Sequence, residues 1–363
     1  MHISDLETPA VVVDLDVLAA NLNRLSQYSQ QHGLKLRPHT KTHKIPEIAR
    51  MQIASGCSGI TVAKSTEAQV MAAGGLDDIL IAYPVFGAPK AQRLAALARS
   101  HKISVSVDSF EAAEGLSQAA VAVSSTIHIL VEVDVGARRS GVTPEAAPAL
   151  IARIARLAGL HFAGITIYPG HVWTAPGEQA TELSQVAEKV AAVLDALARL
   201  SIPCEIVSGG STPSAHNSHT IPGLTEIRPG TYVFNDRNTL GLQACELKDC
   251  ALRVIATVVS KAVTSRAIVD AGSKTMSGDR WLSGERAGFG YIIEHPEIPI
   301  EAMSEEHGHL DLTNASVVPK VGERLSIIPN HVCTCVNMHD RIWYHREGTV
   351  EGSWAVAGRG KVA

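Results

Sequence analysis

The chain has 363 residues, 45% of them hydrophobic and only 4% aromatic, and a formal charge of −4. That length predicts a large α/β barrel with an appended domain, or two domains, around an aliphatic core. The slight acidity excludes a general affinity for nucleic acid or anionic membranes.

The opening MHISDLETPAVVVDL has no signal-like pattern and no window reaches about eighteen unbroken apolar residues, so a cytoplasmic protein is expected. Six cysteines in a long, core-rich chain are expected to be reduced and mostly buried.

From residue 15 the pattern alternates apolar runs with helical periods. Leu15, Leu18, Leu22 and Leu25 follow a candidate Asp14 cap, and LKLRP reads as a strand. IPEIARMQIASG is a helix closed by Gly56, GITVAK a strand, and STEAQVMAAGG a helix opened by a Thr66–Gln69 capping box. DILIAYP, KISVSVDS and IHILVEVDVG are strands separated by the helices PKAQRLAALARS and FEAAEGLSQAA. FAGITIYPGH, CEIVSGGST and TEIRPGTYVF complete eight strands, with ELSQVAEKVAAVLDALARL as the longest helix.

Eight strands alternating with helices predict a TIM (β/α)8 barrel over residues 15–240, with a doubly wound sheet as the alternative. Beyond it the chain loses its helical periods, and 241–363 reads as a β domain.

In a barrel, chemistry gathers on the loops after the strands. The first such loop lies in KLRPHTKTHK, which holds three lysines, one arginine and two histidines in an otherwise acidic chain. The seventh carries SGGST, Ser208 to Thr212, whose glycines and hydroxyls suit a phosphate; an ordinary Gly-Gly turn is the alternative. A lysine and a phosphate site at two strand ends suggest pyridoxal 5'-phosphate, with Lys41 as the attachment point. Arg37 and His39 could share its face and lower its pKa; a solvated basic loop is the competing reading.

In PNHVCTCVN, His331, Cys333 and Cys335 alternate, so on a strand all three would project to one face, with nitrogen and sulfur suited to zinc. Glu305, Glu306 and His307 are nearby candidates for a further ligand.

Together RPHTKTHK, DVGARRSGV, SGGSTP, RPGTYVF and PNHVCTCVN resemble the D-threonine aldolase and D-serine dehydratase family of fold type III pyridoxal phosphate enzymes, over nearly the whole chain. The resemblance implies an alanine racemase-like barrel, a β domain that also takes in residues 1–14, and homodimers with sites near the subunit interface. It implies that Lys41 holds the cofactor, that Ser208, Gly209, Gly210, Ser211 and Thr212 take its phosphate, and that Tyr232 assists. Arg139, in the G-x-x-R-x-G pattern from Gly136, would face the cofactor, with a surface ion pair as the alternative.

Tyr168 and His171 would neighbour the ring or substrate, and His39 and His171 would join Lys41 in catalysis. His331 and Cys333 would hold the metal, leaving Cys335 to the core. Asn235 in YVFND departs from the family's usual tyrosine, which puts the hydrogen bonding there in doubt.

Aldolase members usually carry Asp at the second metal position with a harder ion such as manganese, whereas dehydratases carry Cys with zinc. The cysteine therefore favours a D-serine or D-3-hydroxyaspartate dehydratase with Zn2+, with Mn2+ or Mg2+ as other metals. D-threonine aldolase is the alternative, ahead of an amino acid racemase or a non-catalytic cofactor carrier.

Overall fold

A computed structural model describes residues 1–280 and 287–363. The chain divides into two compact units: Met1–Leu22 with Thr42–Ile45 and Thr231–Arg359, and Asn23–Lys41 with Pro46–Gly230 and Gly360–Ala363.

The elements run β1 (Ala10–Asp14), α1 (Leu15–Gln31), β2 (Lys35–Leu36), α2 (Pro46–Ala54), β3 (Ile60–Val62), α3 (Ser65–Ala73), β4 (Asp78–Ile81), α4 (Ala88–Leu97) and β5 (Lys102–Val107). α5 (Phe110–Ala122), β6 (Ile127–Val133), α6 (Ala147–Ile154), β7 (Leu160–Ile167), α7 (Ala180–Arg199), β8 (Ile206–Gly209) and β9 (Glu226–Ile227) follow.

β2 to β9 form an eight-stranded parallel sheet ordered β2-β9-β8-β7-β6-β5-β4-β3. A parallel bridge between His39 and Thr61 joins its two ends, so the sheet closes into the expected barrel. Alternation explains the strand sequences. In β5, Ile103, Val105 and Val107 are fully buried on one face, and Ser104 and Ser106 alternate with them, Ser106 hydrogen-bonding Thr166 of β7.

Glu132, Thr166, Ser208 and Glu226 stand in register across β6, β7, β8 and β9 and form a polar row on one face. Leu80, Leu130 and Ala163, with Ile206 beside them, form an apolar patch.

Asp14 caps α1 as expected, its Oδ1 accepting the N–H groups of Asp16 and Val17 at 3.0 and 3.1 Å. The Thr66 capping box does not form. The N-cap of α3 falls two residues earlier, on Lys64, which makes no side-chain cap, and the Thr66 hydroxyl instead donates to the Ala363 carbonyl at 2.8 Å.

The other unit holds α8 (Arg237–Gly241), β10 (Leu252–Ser260), β11 (Arg266–Val269), α9 (Ser273–Met276), β12 (Tyr291–Ile292), β13 (Ile300–Met303) and β14 (Gly308–Asp311). β15 (Arg324–Ile328), α10 (Val332–Asn337), β16 (Arg341–Arg346) and β17 (Thr349–Ala355) complete it. Its sheet runs β13-β14-β11-β10-β1-β16-β17, with β15 pairing β10 and β12.

β1, with the apolar run AVVV, lies antiparallel to β10 and parallel to β16. Leu6, Ala10, Val12 and Ile255 pack together there. Among the described residues no helix is long and apolar enough to cross a membrane.

Candidate active site

The barrel's carboxyl ends carry a concentration of positive charge. Lys41 sits half-buried in a 3-10 turn, Thr40–Thr42, just past β2, and its N–H donates to His39 Nδ1 at 3.3 Å. Arg228 follows β9 and is buried; its Nη1 donates to Ser208 Oγ at 2.6 Å and its Nη2 to the Ile167 carbonyl at 3.0 Å. Burial lowers the Arg228 pKa to about 10 even though Glu226 and Glu132 favour its charge.

Desolvation first, and then the charges of Lys41, Arg228 and Arg139, hold His39 well below the usual histidine range. His39 is therefore a neutral imidazole, accepting at Nδ1, among three cations.

Arg139 lies on the loop after β6, with its guanidinium 4.2 Å from the ring centroid of Tyr168 and 4.0 Å from Glu132. Its side chain is 57% exposed, so the ion pair is weak and the aromatic contact defines its position. Asp134 shapes this loop by accepting the Gly136 and Arg138 N–H groups, and Lys189 Nζ ties it to α7 through the Val135 carbonyl at 2.9 Å.

Gly136, at φ +135°, leaves room for His171, whose ring a Cβ there would meet at 2.9 Å. Gly170 does the same for Tyr168, at 2.1 Å. The structure thus brings Arg139, Tyr168, Gly136 and His171 together. His171 Nδ1 is buried and has no hydrogen-bond partner among the described residues. The cations and this orphaned nitrogen fit an anionic, hydrogen-bonding group such as pyridoxal phosphate.

Gly209 and Gly210 lead the chain out of β8, and Ser211 bonds Ser214 at 3.0 Å before the 3-10 turn Ala215–Thr220 begins behind Thr212. Ser208 is set apart from that turn. Its hydroxyl, fully buried, donates to Glu226 at 2.6 Å and accepts from Arg228, so it belongs to the barrel's polar interior and not to a phosphate loop.

Arg37 is likewise turned away from the strand ends. It pairs with Glu226 at 3.0 Å and with Asp78, the first residue of β4, at 2.6 Å, and so lies toward the amino ends of the strands. Its charge is taken up by two carboxylates and does not serve the Lys41 loop.

In the other unit, PNHVCTCVN does not continue β15 as a strand. His331 is the N-cap of α10 and Cys333 and Cys335 are helical, so the three do not line one face of a strand; Cys333 still hydrogen-bonds His331, while Cys335 turns into the core. Cys335 is fully buried, its thiol donates to the Thr275 carbonyl at 3.3 Å, and burial pushes its pKa up to about 12, as suits a core residue.

His331 Nδ1 lies 3.0 Å from Asp236 Oδ2, which also accepts the Val332 N–H. The other oxygen of Asp236 accepts from Thr239 N–H at 2.9 Å and Oγ1 at 3.1 Å, so this fully buried carboxylate is spent on capping and orientation. Burial disfavours charge on His331, but its hydrogen bonds to Asp236 and Cys333 outweigh that and push its pKa up to about 11. Surroundings that hold a proton so firmly favour a cation, and a carboxylate behind a histidine is the usual support of a metal ligand. Nitrogen and sulfur together suit zinc.

Cys333 Sγ lies 3.2 Å from Thr42 Oγ1 and 3.9 Å from Thr231 Oγ1. Tyr232 is buried in the 3-10 turn Thr231–Val233. Glu305, Glu306 and His307 lie in the turn between β13 and β14, with Glu306 paired to Lys274 at 2.9 Å. Among the described residues no three His, Cys, Asp or Glu side chains are gathered as a metal cage. Asn235 adopts φ 53°, a region asparagine tolerates better than tyrosine, and its amide donates to the Asp249 carbonyl at 3.1 Å.

Residues 13–238 match the model of the alanine racemase N-terminal domain, and residues 251–345 that of a serine dehydratase domain. A D-threonine aldolase from Arthrobacter sp. is 36% identical over 98% of this chain and 93% of its own length. The chain belongs to the D-threonine aldolase and D-serine dehydratase family. It is accordingly an enzyme of the alanine racemase-like, fold type III architecture, for which pyridoxal phosphate is the expected cofactor.

D-threo-3-hydroxyaspartate dehydratase from Delftia sp. (strain HT23) is 33% identical over 90% of this chain and 91% of its own length. A solved cysteine-to-alanine variant of a D-threo-3-hydroxyaspartate dehydratase, described as metal-free, superposes with a TM-score of 0.88 at 31% identity, covering 98% of both chains.

Two supports escaped sequence reasoning. Asp236 stood inside YVFND and Arg228 inside RPGTYVF, but neither has a local spacing that announces a partner about a hundred residues, or a whole strand, away.

Proposed function

We propose that this protein is a pyridoxal phosphate- and metal-dependent lyase that eliminates water from a D-β-hydroxy amino acid and releases ammonia, leaving a 2-oxo acid. The observation that carries this reading is Cys333 beside a histidine whose other nitrogen is fixed by a buried carboxylate. In the solved dehydratase the metal-free variant lacks a cysteine, and another variant lacks a histidine two positions before it, the spacing of His331 and Cys333 here.

When bound, pyridoxal phosphate draws off the electron pair released at Cα, and a divalent ion, Zn2+ by donor chemistry, polarises the β-hydroxyl. Lys41 would hold the cofactor and move the Cα proton on its Nζ. The turn from Gly209 to Thr212 would take the phosphate, and the cations Arg228 and Arg139 would balance its charge. His39 remains neutral and anchors the Lys41 backbone. Asp236 keeps the proton on His331 Nδ1 and leaves Nε2 as the donor nitrogen. Following the family resemblance, two copies of the chain would form the working assembly.

The 36% identical D-threonine aldolase supports a second reading, cleavage to glycine and an aldehyde. Product analysis on D-serine, D-threonine and D-threo-3-hydroxyaspartate with added zinc separates the two. Pyruvate from D-serine and 2-oxobutyrate from D-threonine, each with ammonia, support elimination. Glycine and acetaldehyde from D-threonine without 2-oxobutyrate overturn it.

A further inference from the structure

Cys245 and Cys250 bracket the segment CELKDC, whose centre, Leu247–Asp249, is a 3-10 turn closed by reciprocal bonds between Glu246 and Asp249. The turn folds the chain back on itself and sets the two thiols close enough to perturb each other's ionisation. Both cysteines are free; Cys250 is buried and Cys245 half-buried.

The pair is asymmetric. Contact with Cys250 favours a thiolate on Cys245 against burial and the charges of Asp236 and Asp249, while that same contact and then burial keep Cys250 protonated. An accessible nucleophilic thiol backed by a buried partner is the arrangement that thiol–disulfide exchange needs.

The pair also touches a support of the proposed metal site. Cys245 Sγ lies 3.5 Å from Thr239 Oγ1, the hydroxyl that donates to Asp236 Oδ1, and Asp236 Oδ2 orients His331.

We propose that Cys245 and Cys250 close into a reversible disulfide on exposure to small organic disulfides, and that closure disturbs the Thr239–Asp236 cap behind His331. In the first step the Cys245 thiolate attacks one sulfur of the small disulfide, whose S–S bond breaks and releases one thiolate. Cys250 then gives up its proton and attacks the Cys245 sulfur, expelling the second half as a thiol. Two protein thiols are oxidised and one small disulfide is reduced to two thiols. Only a six-residue segment closes, so the chain entropy lost is small. The effect on metal rests on the reading of His331 as a ligand; the disulfide itself does not.

The test uses the purified holoenzyme and oxidised glutathione as the probe. Peptide mapping is expected to find a Cys245–Cys250 linkage, two mass units lighter than the dithiol and reversed by dithiothreitol. Cys250→Ser should instead trap glutathione on Cys245. Absence of the linkage in oxidised protein overturns the site.

Zinc affinity, measured by competition with a chelating dye, is expected to fall about tenfold on oxidation, in the range of a lost outer-shell support. Cys245→Ser should keep its affinity under the same treatment. A mapped disulfide with unchanged zinc affinity overturns the coupling, and loss of zinc in oxidised Cys245→Ser assigns the effect to another thiol and overturns it as well.

Discussion

His39 and His331 are both ligand-facing candidates, yet their surroundings have opposite signs. In the barrel unit, desolvation and three neighbouring cations strip His39 of its proton. In the β unit, a carboxylate and a thiol load one onto His331 against the cost of burial. The first environment suits an anion and the second a cation. The contrast teaches that the charge around an imidazole, more than the imidazole itself, states what a site is for.

The barrel side of this contrast breaks most completely at Lys41. Lys41→Ala is expected to lose at least about a thousandfold in turnover together with the visible chromophore of the purified enzyme. A variant that keeps its chromophore removes Lys41 from the site.

On the β side, His331→Ala or Cys333→Ala should abolish stoichiometric metal and activity while the chromophore stays, read by elemental analysis beside absorbance. Full metal content in either variant would refute the ligand assignment. Asp236→Asn sharpens the comparison, since it keeps the shape of the cap but removes its charge; metal affinity should fall about 10- to 100-fold.

Smaller changes test the barrel supports. Gly170→Ala would drive a Cβ into the Tyr168 ring and should cost about 1–3 kcal/mol in denaturant unfolding, with little effect if the ring is free to move.

The smallest effect is in pH. Because the folded pKa of His39 lies well below 6.5, the unfolded chain takes up a proton below pH 6.5 that the folded barrel refuses, and stability falls with falling pH. His39→Gln should flatten the slope of Tm between about pH 5 and 6.5; an unaltered slope would place the titration on another group.

Much of the barrel was legible because periodicity is a local property. Burial of Leu15, Leu18, Leu22 and Leu25 follows from their spacing, and the eight strands from their apolar runs. The Lys41 loop stood out as charge density against an acidic background. The segment PNHVCTCVN misled, because alternating residues suit a strand equally well, while the buried Asp236 carboxylate caps a helix there by accepting the Val332 N–H. Arg37 misled for a similar reason. Two residues from His39, it was expected to share that residue's role, but Glu226 and Asp78, distant in sequence, draw its guanidinium away.

By itself the sequence determined the alternation of strands and helices, the change to β texture after residue 240, and the residue types able to do the chemistry, since each depends on neighbours within a few positions. Only the tertiary structure decided which of those residues keep their charge and which spend it. Ion pairing, capping and desolvation depend on groups brought near by folding, and a Coulomb interaction responds to distance in space, whatever the separation along the chain.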